Sequence, residues 1–303
     1  MLHIFLDGCP RKITFKANPT DAEIKEADLV IAAVSTNDEE GFNRSFALHP
    51  QTGGGLAERC VSLNSKTILI SMTGGAFRMT DFQDKVAAHL FALFLGQTQG
   101  RALVDVLMGR VNPSGKLPFT CEKEFSDSPA FQYPAVDLVS QPIKPDSGKG
   151  ARIDYKEGIF VGYRWYEHQK VAPLYPFGFG LSYATFLYDH LKLKSLSLSQ
   201  NQSLTLSFTI TNEGKVEGTE IAQLYLREIQ CTVPRPEKEL KGFQKIKLKP
   251  GETKTIQMTI TPQDLAFWDD KSHAWKIEEG DFQVLIGPSS VETPLTSSFT
   301  FKN

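Results

Sequence analysis

The 303-residue chain reads as two domains in series, an α/β sandwich followed by an all-β sandwich. Three observations predict this. Up to residue 156, glycine-punctuated apolar runs alternate with helical patterns, the rhythm of a sheet layered with helices. From residue 187 onward, short alternating runs are separated by Gly, Asn or Pro turns, the pattern of an antiparallel sandwich. Between them, residues 157–186 carry Tyr163, Trp165, Tyr166, Tyr175, Phe177, Phe179, Tyr183 and Phe186, too many aromatics for a solvated linker. Gly178 and Gly180 let the backbone pack closely among these rings. The expected division is 1–156, an aromatic inter-domain seam over 157–186, and 187–303; a strand pair inside one domain is the alternative reading of the seam. Each part is long enough to bury its own core.

From the front, Thr20 and Glu23 have capping-box spacing, which predicts a short helix ending near Glu26. Leu29 to Ser35 (LVIAAVS) is a nearly continuous apolar run with β-branched residues, expected as a strand covered on both faces. The loop after it, TNDEEGFNRSF, is acidic where ligands gather in α/β sheets, at the carboxyl ends of strands. Its carboxylates are Glu39 and Glu40; on an extended loop neighbouring side chains diverge, so only one faces a given cleft. A plain solvated loop is the competing reading. Gly53, Gly54 and Gly55 weaken the start of a helix carrying Leu56, Cys60, Val61 and Leu63, so it is expected to begin late.

Lys66 to Met72 (KTILISM) is a second buried strand closed by Gly74-Gly75, read as a tight turn because neither GxGxxG nor GxxxxGK[ST] is present. Val86 to Leu95 fits a buried helix or a central strand. Gln99 to Met108 has helical spacing with Gly109 as its C-terminal stop, and Asn112 to Thr120 (NPSGKLPFT) is a turn fixed by proline and glycine. Residues 122–152 read as a long surface excursion, in which Phe131 and Tyr133, with Tyr155 just beyond, either pin the loop or stack on sugar rings. The later strands are Leu191 to Leu198, Leu204 to Thr211, Ile221 to Leu226, Thr253 to Ile260 and Phe282 to Ile286; Trp268 and Trp275 are expected to pack in the core or at an edge, with sugar stacking by either as the alternative.

A net charge of −2 supplies no basic field for nucleic acid or an anionic membrane surface. No apolar run reaches the roughly 20 residues of a membrane-spanning helix. The N-terminus lacks the basic and small-residue features of an export signal, so a cytoplasmic location is the default expectation. Cys9, Cys60, Cys121 and Cys231 form no CxxC pair and have no nearby His, so neither a metal nor another cofactor is expected.

Several motifs in one order resemble glycoside hydrolase family 3, the β-glucosidases, β-xylosidases and relatives. These are the seam EGIFVGYRWY…PFGFGLSYATF, the block GQTQGRALVDVLMGRVNPSGKLPFT (Gly96 to Thr120), TNEGKVEGTEIAQLYL (Thr211 to Leu226) and RPEKELKGFQKIKLKPGE (Arg235 to Glu252). The resemblance runs from Ala27 to the end. It implies an α/β sandwich domain, incomplete in its first strand and helix, handing over to an immunoglobulin-like, fibronectin type III-like sandwich, and it favours a strand for Val86 to Leu95.

In many members of the family the loop after the first strand of this stretch reads EGxDR, and the Glu before the Gly is the general acid/base. Glu40-Gly41-Phe42-Asn43-Arg44 matches, so Glu40 rather than Glu39 inherits that role. Asn43 replaces the family's Asp and removes the charge that would steady Arg44. A retaining glycosidase needs a second carboxyl group about 5–5.5 Å away. The resemblance puts that nucleophile on a (β/α) barrel that the 303 residues do not contain. The expected partners are therefore a β-linked oligosaccharide or aryl glycoside and a separate barrel, and the chain alone is expected to be inactive. The alternative is a non-catalytic carbohydrate-binding or protein-interaction module, or an inert fragment.

Overall fold

The computed structural model describes residues 13–37, 49–132 and 155–303. The chain divides into two compact units, Met1–Val111 with Cys121–Lys156, and Asn112–Thr120 with Glu157–Asn303. The segment Asn112–Thr120 thus groups with the second unit, although sequence order assigns it to the first.

In the first unit, helix α1 (Asp21–Glu26) begins at the expected capping box: the Thr20 hydroxyl accepts from the Glu23 amide and the Glu23 carboxylate accepts from the Thr20 amide. Strands β1 (Val30–Ser35), β2 (Thr67–Met72) and β3 (Ala88–Phe91) form a parallel sheet in that order, with Ala32 opposite Leu69 and Ile70 opposite Leu90. The ambiguous 86–95 run is therefore a strand, though only four residues of it pair. Between β1 and β2 runs α2 (Gly54–Leu63), which packs on β1; after β3 comes α3 (Gln99–Leu107), whose Leu103 packs with Ile70 and Ala92.

Two expectations are corrected here. Helix α2 starts within the glycines rather than after them, because Gly53 caps it with φ +80 and lies so near β1 that a Cβ would come 2.3 Å from the Ala33 carbonyl oxygen. Strand β1 is covered on one face only: Ala32 and Val34 are buried, whereas Ala33 is exposed and Ile31 is 39% exposed. It stands at the edge of the sheet, while the central β2 is covered on both faces.

The second unit opens with α4 (Tyr163–Gln169), which buries Trp165 and Tyr166; the aromatic stretch had given no helical expectation. Its strands are β4 (Phe186–Leu193), β5 (Ser197–Ser199), β6 (Leu204–Asn212), β7 (Gly218–Glu228), β8 (Glu239–Leu248), β9 (Thr253–Ile260), β10 (Phe267–Asp269), β11 (Ala274–Lys276), β12 (Gly280–Gly287) and β13 (Leu295–Lys302). A five-stranded sheet, β5-β13-β12-β7-β8, faces a three-stranded one, β4-β6-β9, and β10-β11 is a separate hairpin. Inward residues of both sheets, among them Leu206, Phe208, Leu224, Phe282, Val284 and Phe301, make one core. The molecule is thus an α/β sandwich followed by a β-sandwich.

The NPSGK turn is built into the second unit. Asn112 donates to the Glu217 carbonyl at 2.9 Å and accepts from the Ser182 hydroxyl at 2.9 Å and the Tyr183 amide at 2.8 Å. Lys116 pairs with Glu220 at 3.0 Å and donates to the Gly180 carbonyl at 3.0 Å, with both charged side chains nearly buried. A Cβ on Gly180 would lie 2.2 Å from the Gly115 carbonyl oxygen, and one on Gly178 (φ +80) 2.4 Å from the Gln223 side chain, so both glycines permit a close approach, to the NPSGK backbone and to Gln223 rather than to the aromatic rings. Helix α4 is held to β8 by the Leu240 amide donating to the Tyr163 hydroxyl at 2.9 Å, and to the residue preceding that strand by Lys238–Glu167 at 2.6 Å.

Candidate functional site

The parallel sheet of the first unit delivers the ends of β1, β2 and β3 to one side, where its loops begin. At the end of β1 the chain is pinned before it turns away. The Thr36 amide donates to the Met72 carbonyl at 3.4 Å, and its buried hydroxyl accepts from the Gly74 amide at 3.4 Å. The Asn37 amide donates to the Gln51 side-chain oxygen at 2.6 Å. The returning chain is clamped to the departing one by Ser35 and Thr52, which exchange backbone hydrogen bonds of 3.0 and 3.1 Å. The chain leaving β1 at Asn37 and the chain returning at Gln51 are thus joined at the strand end.

The candidate acid/base Glu40, with Glu39, Asn43 and Arg44, lies in residues 38–48, outside the described residues. The base residues Thr36, Gln51 and Thr52 were not singled out from the sequence, because one isolated bridge has no periodicity to reveal it. Tyr133 also falls outside the described residues, whereas Phe131, 55% exposed, packs edge-on against Phe125 of the same excursion at 5.8 Å.

Below the strand ends sits His89, whose ring bonds the buried Ser71 hydroxyl at 2.9 Å. Phe77 and Phe91 rings lie 6.2 and 5.8 Å from it. Desolvation in this apolar setting holds its pKa down, to about 4, so the imidazole is neutral at physiological pH. Around the rim, Arg78 pairs with Asp81 at 3.4 Å and Glu124 at 3.6 Å, and His49 stands 3.6 Å from Asp81.

Among the described residues, no group of three or more His, Cys, Asp or Glu side chains is placed to hold a metal ion, and no helix is long and apolar enough to cross a membrane. Cys60, Cys121 and Cys231 are free thiols; burial pushes the Cys121 thiol up to about 12, which makes it inert. The Gly74-Gly75 bend is closed by the Thr73 hydroxyl donating to the Gly75 carbonyl at 2.8 Å, consistent with a turn.

Residues 6–163 match the model of the glycosyl hydrolase family 3 C-terminal domain, and residues 220–290 match a fibronectin type III-like domain. Thermostable beta-glucosidase B of Acetivibrio thermocellus is 36% identical over 285 residues, covering 93% of this chain and 36% of the relative. Beta-glucosidase BoGH3A of Bacteroides ovatus is 38% identical over 280 residues, covering 91% and 36% respectively. Among solved structures, beta-glucosidase 3B from Thermotoga neapolitana in complex with alpha-D-glucose aligns with a TM-score of 0.81 at 30% identity, covering 96% of this chain and 41% of that one. Beta-D-glucoside glucohydrolase from Trichoderma reesei aligns with a TM-score of 0.81 at 29% identity, covering 93% and 41%. The chain spans about a third of the length of the curated relatives it matches.

Proposed function

Because the chain belongs to glycosyl hydrolase family 3, as its C-terminal domain followed by a fibronectin type III-like domain, we propose that it supplies the general acid/base to a retaining β-glucosidase whose nucleophile resides on a (β/α) barrel. The observation that carries this is the position of the Glu40-Gly41-Phe42-Asn43-Arg44 motif: it follows a family-matched parallel strand, on a loop whose base is clamped at Ser35 and Thr52. Among the described residues the parallel sheet has three strands, not the eight of a closed barrel.

In the first step the barrel carboxylate attacks C1 of the β-glucoside. Glu40 gives its proton to the glycosidic oxygen as the C1–O bond breaks, so the aglycone leaves as a neutral alcohol. In the second step the Glu40 carboxylate takes a proton from water, the oxygen of that water bonds C1, and the nucleophile carboxylate departs. Glu40 is then protonated again for the next cycle. A loop base hydrogen-bonded at Ser35 and Thr52 would serve both steps, since proton donor and reacting oxygen must meet within hydrogen-bond reach. Asn43 beside Arg44 keeps a hydrogen-bonding side chain of the same size while giving up the charge.

The test supplies a family barrel in trans, or joined ahead of this chain, and measures hydrolysis of an aryl β-glucoside. The expected outcome is barrel-dependent turnover that Glu40→Gln lowers by about 10²- to 10⁴-fold. Azide should then restore turnover as the β-glycosyl azide, because that anion needs no general base. Equal activity in the Glu40→Gln protein would overturn the assignment.

A further inference from the structure

Strands β10 and β11 pair through Trp268 opposite Trp275, so these two side chains share one face of the hairpin. The opposite face is covered only on its β10 side: Phe267 is half-buried and Asp269 buried, whereas Ala274 and Lys276 are exposed. There the Arg235 guanidinium sits 5.2 Å from the Phe267 ring centroid. Asp269 is held by Lys276, by the Ser272 hydroxyl at 2.5 Å and by the Ser272 and Lys271 amides at 3.3 and 3.4 Å. The hairpin is thus braced within its own turn by Asp269 and touched from outside by Arg235, while its front displays two indoles, 49% and 60% exposed. Their centroids are 5.7 Å apart and their planes 76° apart, an edge-to-face corner in which each indole keeps about half of its surface exposed.

Packing of one indole against the other explains their contact, at about 0.2–1 kcal/mol for a cross-strand pair, but not the aromatic surface left exposed. The uncovered aromatic area is on the order of 250 Å², against about 800 Å² that each partner buries in a stable protein interface. That area suits one or two sugar rings. A β-linked glucose ring carries its hydroxyls equatorially and presents axial C–H bonds on both faces, so one face lies flat on an indole while the second indole walls its edge.

We propose that Trp268 and Trp275 form a binding platform for β-linked gluco-oligosaccharides on the β-sandwich unit. The ligand class rests on the β-glucosidase reading above; the platform itself rests on the hairpin.

The test is intrinsic fluorescence of the full chain titrated with cellohexaose. The third tryptophan, Trp165, is buried, so a saturable change in emission reports the exposed pair. Trp268→Ala and Trp275→Ala should each weaken binding by about tenfold or more, and Trp275→Phe, which keeps an aromatic face, should fall between the Ala variant and the parent. Urea midpoints show whether the variants remain folded, and the graded Phe series decides the matter if the Ala variants do not. The titration is read on the chain alone and the acid/base assignment on barrel-complemented turnover, so failure of the platform is distinguishable from failure of that assignment. No saturable signal in the parent, unchanged affinity in folded Ala variants, or a concentration-dependent self-association abolished by Trp275→Ala would each overturn the proposal.

Discussion

His89 shows how one side chain couples environment to pH. In the unfolded chain it takes a proton as pH falls through about 6.5, but in the folded state desolvation delays protonation to about 4. Between these values the unfolded state binds more protons, so stability falls as pH falls: the contribution is fully present above about 6.5 and gone below about 4. His89 keeps partial access to solvent, so the expected loss is about 1–2 kcal/mol. Urea midpoints of the full chain measured from pH 7 to 4.5 should fall less steeply for His89→Gln. Glu167 and Glu228, both raised by desolvation, act in the opposite sense, so the difference between variant and parent is the quantity to read. At this scale the sequence yields identities but not surroundings: a motif nominates Glu40, which lies outside the described residues, whereas the Ser35–Thr52 bridge and the Gln51 side chain are contacts between residues distant in sequence. Gln51→Ala should lower kcat more than it raises KM in the barrel-complemented enzyme, since it loosens the acid's footing without touching the sugar.

Lys116 belongs to an element whose role only tertiary structure explains. Its ion pair with Glu220 leaves the side chains 11% and 7% exposed, so removing one partner strands a charge away from water. Lys116→Met is expected to destabilise the second unit by about 3 kcal/mol, and adding Glu220→Gln should recover much of that loss, read from urea midpoints in a double-mutant cycle. Elements with strong local signals were legible: the α1 capping box, buried β2 and strictly alternating β6. Those missed have physical reasons. Strand β8 is an edge strand in which Lys241, Lys245 and Lys247 dilute the alternation, as edges that resist aggregation do. Strand β13 is written in Ser and Thr around Phe299 and Phe301, and α4 hides in an aromatic run that lacks an amphipathic stripe.

For the molecule as a whole, the order of α/β and all-β parts was readable because hydrophobic period distinguishes the two layers, and period is a local property. The assignment of Asn112–Thr120 to the second unit was not readable, because it depends on hydrogen bonds reaching from Asn112 to Ser182 and Glu217. A chain reduced to residues 187–303 gives up Lys116, Trp165, Tyr166 and Phe177, and should show a lower urea midpoint than the full chain's second transition. The backbone passes from one unit to the other after Val111, again after Thr120 and a third time after Lys156. Swapping the β-sandwich between relatives by a single genetic crossover at Lys156 would consequently leave the recipient with a mismatched NPSGK segment, so exchange of this module must carry its upstream stitch along or be repaired at both seams.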